Sequence, residues 1–287
     1  MTVASLRRQA GSPWDGSGAR WLFVPPAILL TIGLLGPLAA VLVAGAKAHG
    51  PTGMLTSPFH SELFLRALWR TLWLSALVTA CTWVAGTAFA LALGLAPRWL
   101  GRALFAVLFL SFWISLLVRT YGWVLTLQPA GALDGLAKAL HLSKGGLGLY
   151  QTTGGLVPAM VHIMLPYMVL PIYAGLRSID PAQLRAARSL GAGELLTLRA
   201  VVLPALRSGA AAGVVIVFIM CLGFYVTPAF LGGPKDQLVS IVLGTQFGRL
   251  QDLGGAAAMG LVLLIGTLGL YLLADRFLRI SQQWERL

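Results

Sequence analysis

The chain has 287 residues, of which 57% are hydrophobic and only 10% charged. A soluble globular domain carries ~25% charged residues, so a water-soluble fold is excluded. The net charge of +12 does not point to nucleic acid, because the arginines fall between apolar runs and not on one face interleaved with aromatics.

In chain order, residues 1–20 read as a cytoplasmic N-terminal tail and residues 21–287 as a single transmembrane domain. The first apolar run, 21–46, follows Arg7 and Arg8 and ends in "AGAK" (44–47), which mimics a signal-peptidase site. That run is about twice the 7–15-residue core of a signal peptide, so an uncleaved first span is expected. Further spans are expected at 72–96, 103–127, 154–176, 207–230 and 255–275. Each is about 20 residues or more, enough to cross ~30 Å of hydrocarbon. The expected fold class is all-α: a polytopic membrane protein of six helices surrounded by lipid. Cys81 and Cys221 lie singly in apolar runs and read as small core residues. His49, His60, His141 and His162 form no metal-ligand spacing, and His162, inside a span, reads first as a packed, hydrogen-bonded histidine and second as one lining a pathway.

With the N-terminus inside, thirteen Lys and Arg fall on the cytoplasmic side and eight outside. The excess predicts both termini in the cytoplasm. Every acid falls in a loop, a tail or a span end. A proton- or ion-coupled carrier places acids in the membrane interior, so the driving energy is expected from another subunit. No Gly-x-x-x-x-Gly-Lys-Ser/Thr phosphate loop occurs, and "KGGLG" (144–148) has the wrong order. A membrane enzyme would need a nucleophile–base or metal constellation, and none is visible.

Between the fourth and fifth spans, residues 178–206 carry Arg185, Arg188 and Arg199 among small residues. Asp180 suits an N-cap, Pro181 the first helical position and Gln183 a capping box. Gly191 suits the left-handed stop. A second short helix, "GELLTLRAVV" (193–202), would then lead to Leu203-Pro204 and the fifth span. The first helix, smooth at Ala182, Ala186 and Ala187, fits either a groove on a partner or the headgroup layer of the bilayer.

"RAARSLGA" (185–192), followed by "LP" (203–204), resembles the coupling loop of ABC importer permeases. The matching positions are Ala186, Ala187, Gly191, Leu203 and Pro204. Arg185 stands where that family carries glutamate, and Ser189 where an acid is common. "FWISLLVRTYGW" (112–123), "LPYMVLPIYAGLRSID" (165–180) and "GFYVTPAFLGGPKDQLVSIVLGTQF" (223–247) are similar to spermidine/putrescine-type permeases. The resemblance implies the type I importer fold in a bacterial inner membrane, no cofactor in this chain, and ATP with Mg on a partner ATPase pair. It also implies a second homologous permease and an external (periplasmic or extracellular) solute-binding protein. Iron, sulfate and aminophosphonate permeases are cousins, so the solute stays open. Arg185 predicts an acidic or neutral group opposite it on the ATPase.

Candidates for the substrate path are Trp113, Tyr121, Trp123, Phe224 and Tyr225, whose faces would attract an organic cation, with Asp236 and Asp252 as carboxylates. An interfacial aromatic belt explains the aromatics equally. Arg119, sixteen residues into a straight third span, would lie near the outer interface. There it would snorkel, pair with Asp252, or meet an anion. Pro158, Pro166 and Pro171 predict a bent fourth span, and Gly209 with Gly213 a close helix contact.

Overall fold

The computed structural model describes residues 23–142 and 146–278. The tail 1–20, the first residues of the expected first span and Lys144 lie outside the described residues. Among the described residues twelve α-helices follow in order. They are α1 (Val24–Thr56), α2 (Glu62–Leu95), α3 (Arg98–Trp113), α4 (Leu116–Leu127), α5 (Ala132–Ala139) and α6 (Thr153–Arg177). After these come α7 (Pro181–Ser189), α8 (Glu194–Thr197), α9 (Leu203–Leu222), α10 (Val226–Leu231), α11 (Val239–Gly248) and α12 (Leu253–Leu278). Among the described residues five helical stretches are long and apolar enough to cross a membrane, and α3 with the run from Leu116 supplies a sixth, broken one.

The centre is a sandwich of α2, α6 and α9. Gly86 faces Met168 and Gly94 faces Leu176, so α2 and α6 run parallel; Gly209 faces Pro171 and Gly213 faces Met168, so α9 runs antiparallel to α6. A Cβ at Gly209 would run into the Pro171 carbonyl, and one at Gly213 would meet Met168 Sδ at 2.7 Å. The Gly-x-x-x-Gly pair therefore serves packing inside this chain, where glycine lets two backbones approach. Leu74 and Val78 of α2, Leu156, Met160, Met164 and Met168 of α6, and Val217 and Cys221 of α9 fill the interface. Thr71 and Thr82 donate back to the carbonyls of Ala67 (2.8 Å) and Val78 (2.6 Å), which uses their hydroxyl protons within their own helix. α1 runs antiparallel to α12, with Gly45 beside Ala257 and Gly254 beside Ala48.

Two expected spans take a different form. The run 103–127 is not one helix: α3 and the following helical run meet at 101°, with Ile114 and Ser115 extended (ψ 132° and 138°). No Gly or Pro stands there, and Ser115 makes no side-chain cap bond, so tertiary anchors set the break. Thr120 Oγ1 lies 2.9 Å from Thr227 Oγ1, and Trp123 Nε1 donates to His162 Nδ1 at 3.2 Å. The run 207–230 starts earlier and ends sooner than expected. Helix is continuous from Glu194 to Leu222, so the second short helix of the loop is the beginning of the fifth span. A π turn at Leu198–Val202 comes just before Pro204. Proline cannot donate to the ordinary i−4 carbonyl, and the wider turn absorbs that loss.

At the end of the bundle that holds Ser61 and Thr152, the segment after α10 is tied down. Asp236 accepts from Thr153 Oγ1 (2.7 Å) and Gly233 N (3.4 Å). Arg70 donates from Nε to the Lys235 carbonyl (2.9 Å) and lies 3.9 Å from Asp236. Val239 N donates to Thr71 Oγ1 at 3.0 Å. The loop 178–206 begins at the opposite end, beyond Arg177.

Candidate functional site

α7 is built by its two ends. Asp180 Oδ1 accepts from Ala182 N at 2.8 Å, and Pro181 fills the first position, where its missing N–H costs nothing. Gln183 closes no side-chain capping box; it gives its backbone N–H to the Asp180 carbonyl (2.9 Å). At the far end Gly191 takes φ +78°. Gly191 N donates to Arg188 O and Ala192 N to Ala187 O, both at 3.0 Å. That pair of bonds is the Schellman stop, and it needs a residue tolerant of positive φ.

No residue of α7 is buried. Leu184 alone reaches the core edge, while Arg185, Ala186, Arg188 and Ser189 are exposed and Ala187 is half-buried. Beyond them Leu190 is 88% exposed, and Leu195 and Leu196 are exposed as well. A short capped helix thus projects from the bundle, with small and apolar side chains flanked by arginines. Leu203 and Pro204 are exposed at the start of α9, at the same end of the bundle but outside α7.

Of the expected path residues, only Arg119 and Trp123 come near a common neighbour, His162; the others lie apart. Trp113 is 73% exposed at the end of α3 and packs on Phe109 (ring centroids 6.0 Å). Tyr121 packs on Phe230 (5.4 Å). Tyr225 is half-exposed beside Gly244, and the Phe224 carbonyl accepts from Ser240 (2.8 Å). Asp252 accepts from Gly255 N at 2.8 Å and so caps α12; it does not pair with Arg119. Asp236, 2% exposed, is committed to the clasp described above.

Arg119 does not stand sixteen residues up a straight span. Because the span breaks before it, Arg119 stands in the first turn of α4, within electrostatic range of His162 and Tyr167 on α6. His162 is hydrogen-bonded, as the sequence suggests, and its donor is Trp123. Tyr167, whose ring meets Phe112 edge-on at 5.6 Å, was not singled out by sequence reasoning. Its usable signal was a tyrosine about 1.4 helical turns after a histidine within a proline-interrupted span.

A helical bundle whose apolar surface suits lipid, with a capped, exposed helix at one end, is the architecture of a multi-pass membrane protein. The comparison with known families agrees: residues 86–286 match the family "Binding-protein-dependent transport system inner membrane component", and the chain belongs to it. The chain is 30% identical over 234 residues to the spermidine/putrescine transport system permease protein PotB of Escherichia coli, covering 80% of this chain and 84% of that one. It is 29% identical over 292 residues to the inner membrane ABC transporter permease protein YdcU of Escherichia coli, covering 93% and 92%. A bacterial ABC transporter that imports alginate shares the fold, with a TM-score of 0.79 at 19% identity over 91% of this chain and 94% of that one. The chain is thus a multi-pass inner-membrane permease subunit of an ABC importer. It works with a solute-binding protein and a separate ATP-hydrolysing subunit, and is not itself an enzyme.

Proposed function

We propose that this chain forms half of the translocation path of an ATP-driven polyamine importer, with spermidine or putrescine as solute. A second, homologous permease forms the other half. The projecting, Schellman-terminated α7 carries this reading. An exposed helix with alanines, Leu190 and two arginines is suited to a groove on a partner, and the partner is the ATPase, which binds ATP with Mg. The loop 178–206 then faces the cytoplasm, as do both termini, and the Asp236–Thr153 end faces outward to the binding protein. The polyamine assignment is supported by the likeness to PotB.

Arg185 is exposed and is expected to face an acidic or neutral group on the ATPase, since like charges across an interface cost affinity. The assay is uptake of labelled spermidine by proteoliposomes holding the complete transporter, with the cognate binding protein and ATP. Vanadate-sensitive uptake that putrescine inhibits supports the reading. If the binding protein is thermally stabilised by sulfate, ferric ion or aminophosphonates and by no polyamine, the solute assignment fails while the permease class stands.

A further inference from the structure

Where α4 packs on α6, Trp123 is hydrogen-bonded to His162, and Arg119 lies within electrostatic range of His162 and of Tyr167. Arg119 Nε and Nη1 are buried and make no hydrogen bond. Two buried donors of a partly buried guanidinium left without a partner are costly, and an ionisable group inside a membrane marks a functional site by default. No described carboxylate reaches it: the ion pairs among the described residues are Arg66–Glu62 and Arg70–Asp236, and Asp252 caps α12.

The rest of the cluster has the same one-sided chemistry. An indole N–H can only donate, so the bond from Trp123 to His162 makes Nδ1 the acceptor. The neutral ring then carries its proton on Nε2, a further free donor. The Tyr167 hydroxyl makes no hydrogen bond among the described residues and can donate as well. Arg119 also lies one turn into α4, whose N-cap Ser115 makes no side-chain cap bond, so the partial positive charge of the helix start adds to that of the guanidinium. Donors gather here, and the acceptor is missing.

We propose that the Arg119–His162–Tyr167 cluster is an oxyanion site, completed by a carboxylate-class group that enters from outside this chain. The group is either a side-chain carboxylate of the facing permease or an anionic group of the solute. The site rests on the reading of this chain as half of a translocation path. Polyamines carry no such acceptor, so under the polyamine assignment the carboxylate belongs to the facing subunit, and an ammonium passing through competes with Arg119 for it.

The test uses the complete transporter in proteoliposomes, with spermidine as probe. Arg119→Gln is expected to lower uptake at least about tenfold, the scale of a lost charge-assisted hydrogen bond, with Arg119→Lys retaining part. In the facing-subunit case Arg119→Glu is inactive until one acid of the paired permease is changed to arginine. In the solute case no such reversal rescues, and uptake of an anionic solute by the unaltered transporter is what Arg119→Gln abolishes. Wild-type spermidine uptake, measured first, separates failure of the polyamine assignment from failure of the site. Should Arg119→Gln not assemble, Tyr167→Phe and His162→Gln each remove or weaken one donor with little change in packing, and each is expected to lower uptake by about two- to fivefold. Unchanged uptake in all variants that assemble overturns the proposal.

Discussion

Removing the cap of α7 with Asp180→Ala isolates the contribution of that helix to coupling. Nine residues are fewer than the ~12–15 that an isolated helix needs, and none of the nine is buried, so the ends carry much of its stability. The substitution removes the 2.8 Å bond to Ala182 N, which an N-cap acid contributes at about 1 kcal/mol. That corresponds to about a fivefold fall in the ratio of formed to unwound helix. Binding-protein-stimulated ATP hydrolysis and uptake by the reconstituted transporter should fall by about two- to fivefold, with the permease still assembled. Asp180→Asn keeps an acceptor and should stay close to wild type. Wild-type coupling by Asp180→Ala would refute the argument that a pre-formed helix transmits the stroke. Equal loss in Asp180→Asn would show that charge matters there and capping does not.

Other outcomes follow from the same geometry. Gly209→Ala forces a methyl into the Pro171 carbonyl, with Ile172 Cα at 3.0 Å. It should lower the thermal midpoint of the purified complex by an overpacking cost of about 1–3 kcal/mol, whereas Gly266→Ala, with nothing within 4 Å, should be neutral or better. Asp236→Ala strips the acceptor from Thr153 and Gly233 and should destabilise by about 2 kcal/mol, seen as faster proteolysis of the segment 232–238. Arg185→Glu should impair ATPase stimulation, with recovery when an opposing acid on the ATPase is reversed. Normal coupling with the unaltered ATPase counts against such an acid.

Much of the scaffold was legible because long apolar runs, Asp-Pro starts and glycine stops are local signals. Asp180, Pro181 and Gly191 act on α7 as their chemistry suggests. The break at Ile114–Ser115 was not legible, since "WISLL" contains no helix breaker and contacts with Thr227 and His162, more than 30 residues away, fix α4. Pro204 read as a boundary because sequence gives no hint of a π turn that tolerates it. The carboxylates misled for a related reason. Asp236 and Asp252 looked free for a cation by position alone, yet one closes a clasp and the other caps α12. Arg119 drew notice as a charge in a span, but its surroundings emerged only once the span was folded back on α6.

The central claim is that α7 sits in a groove of the ATPase and moves with it. Single cysteines at Ala186 or Ala187, in a transporter without Cys81 and Cys221, test it most directly by crosslinking to cysteines on the assembled ATPase subunit. The account predicts a crosslinked pair whose yield changes between nucleotide-free and vanadate-trapped states. A fully assembled, transporting complex that gives no crosslink from either position in any state would contradict it.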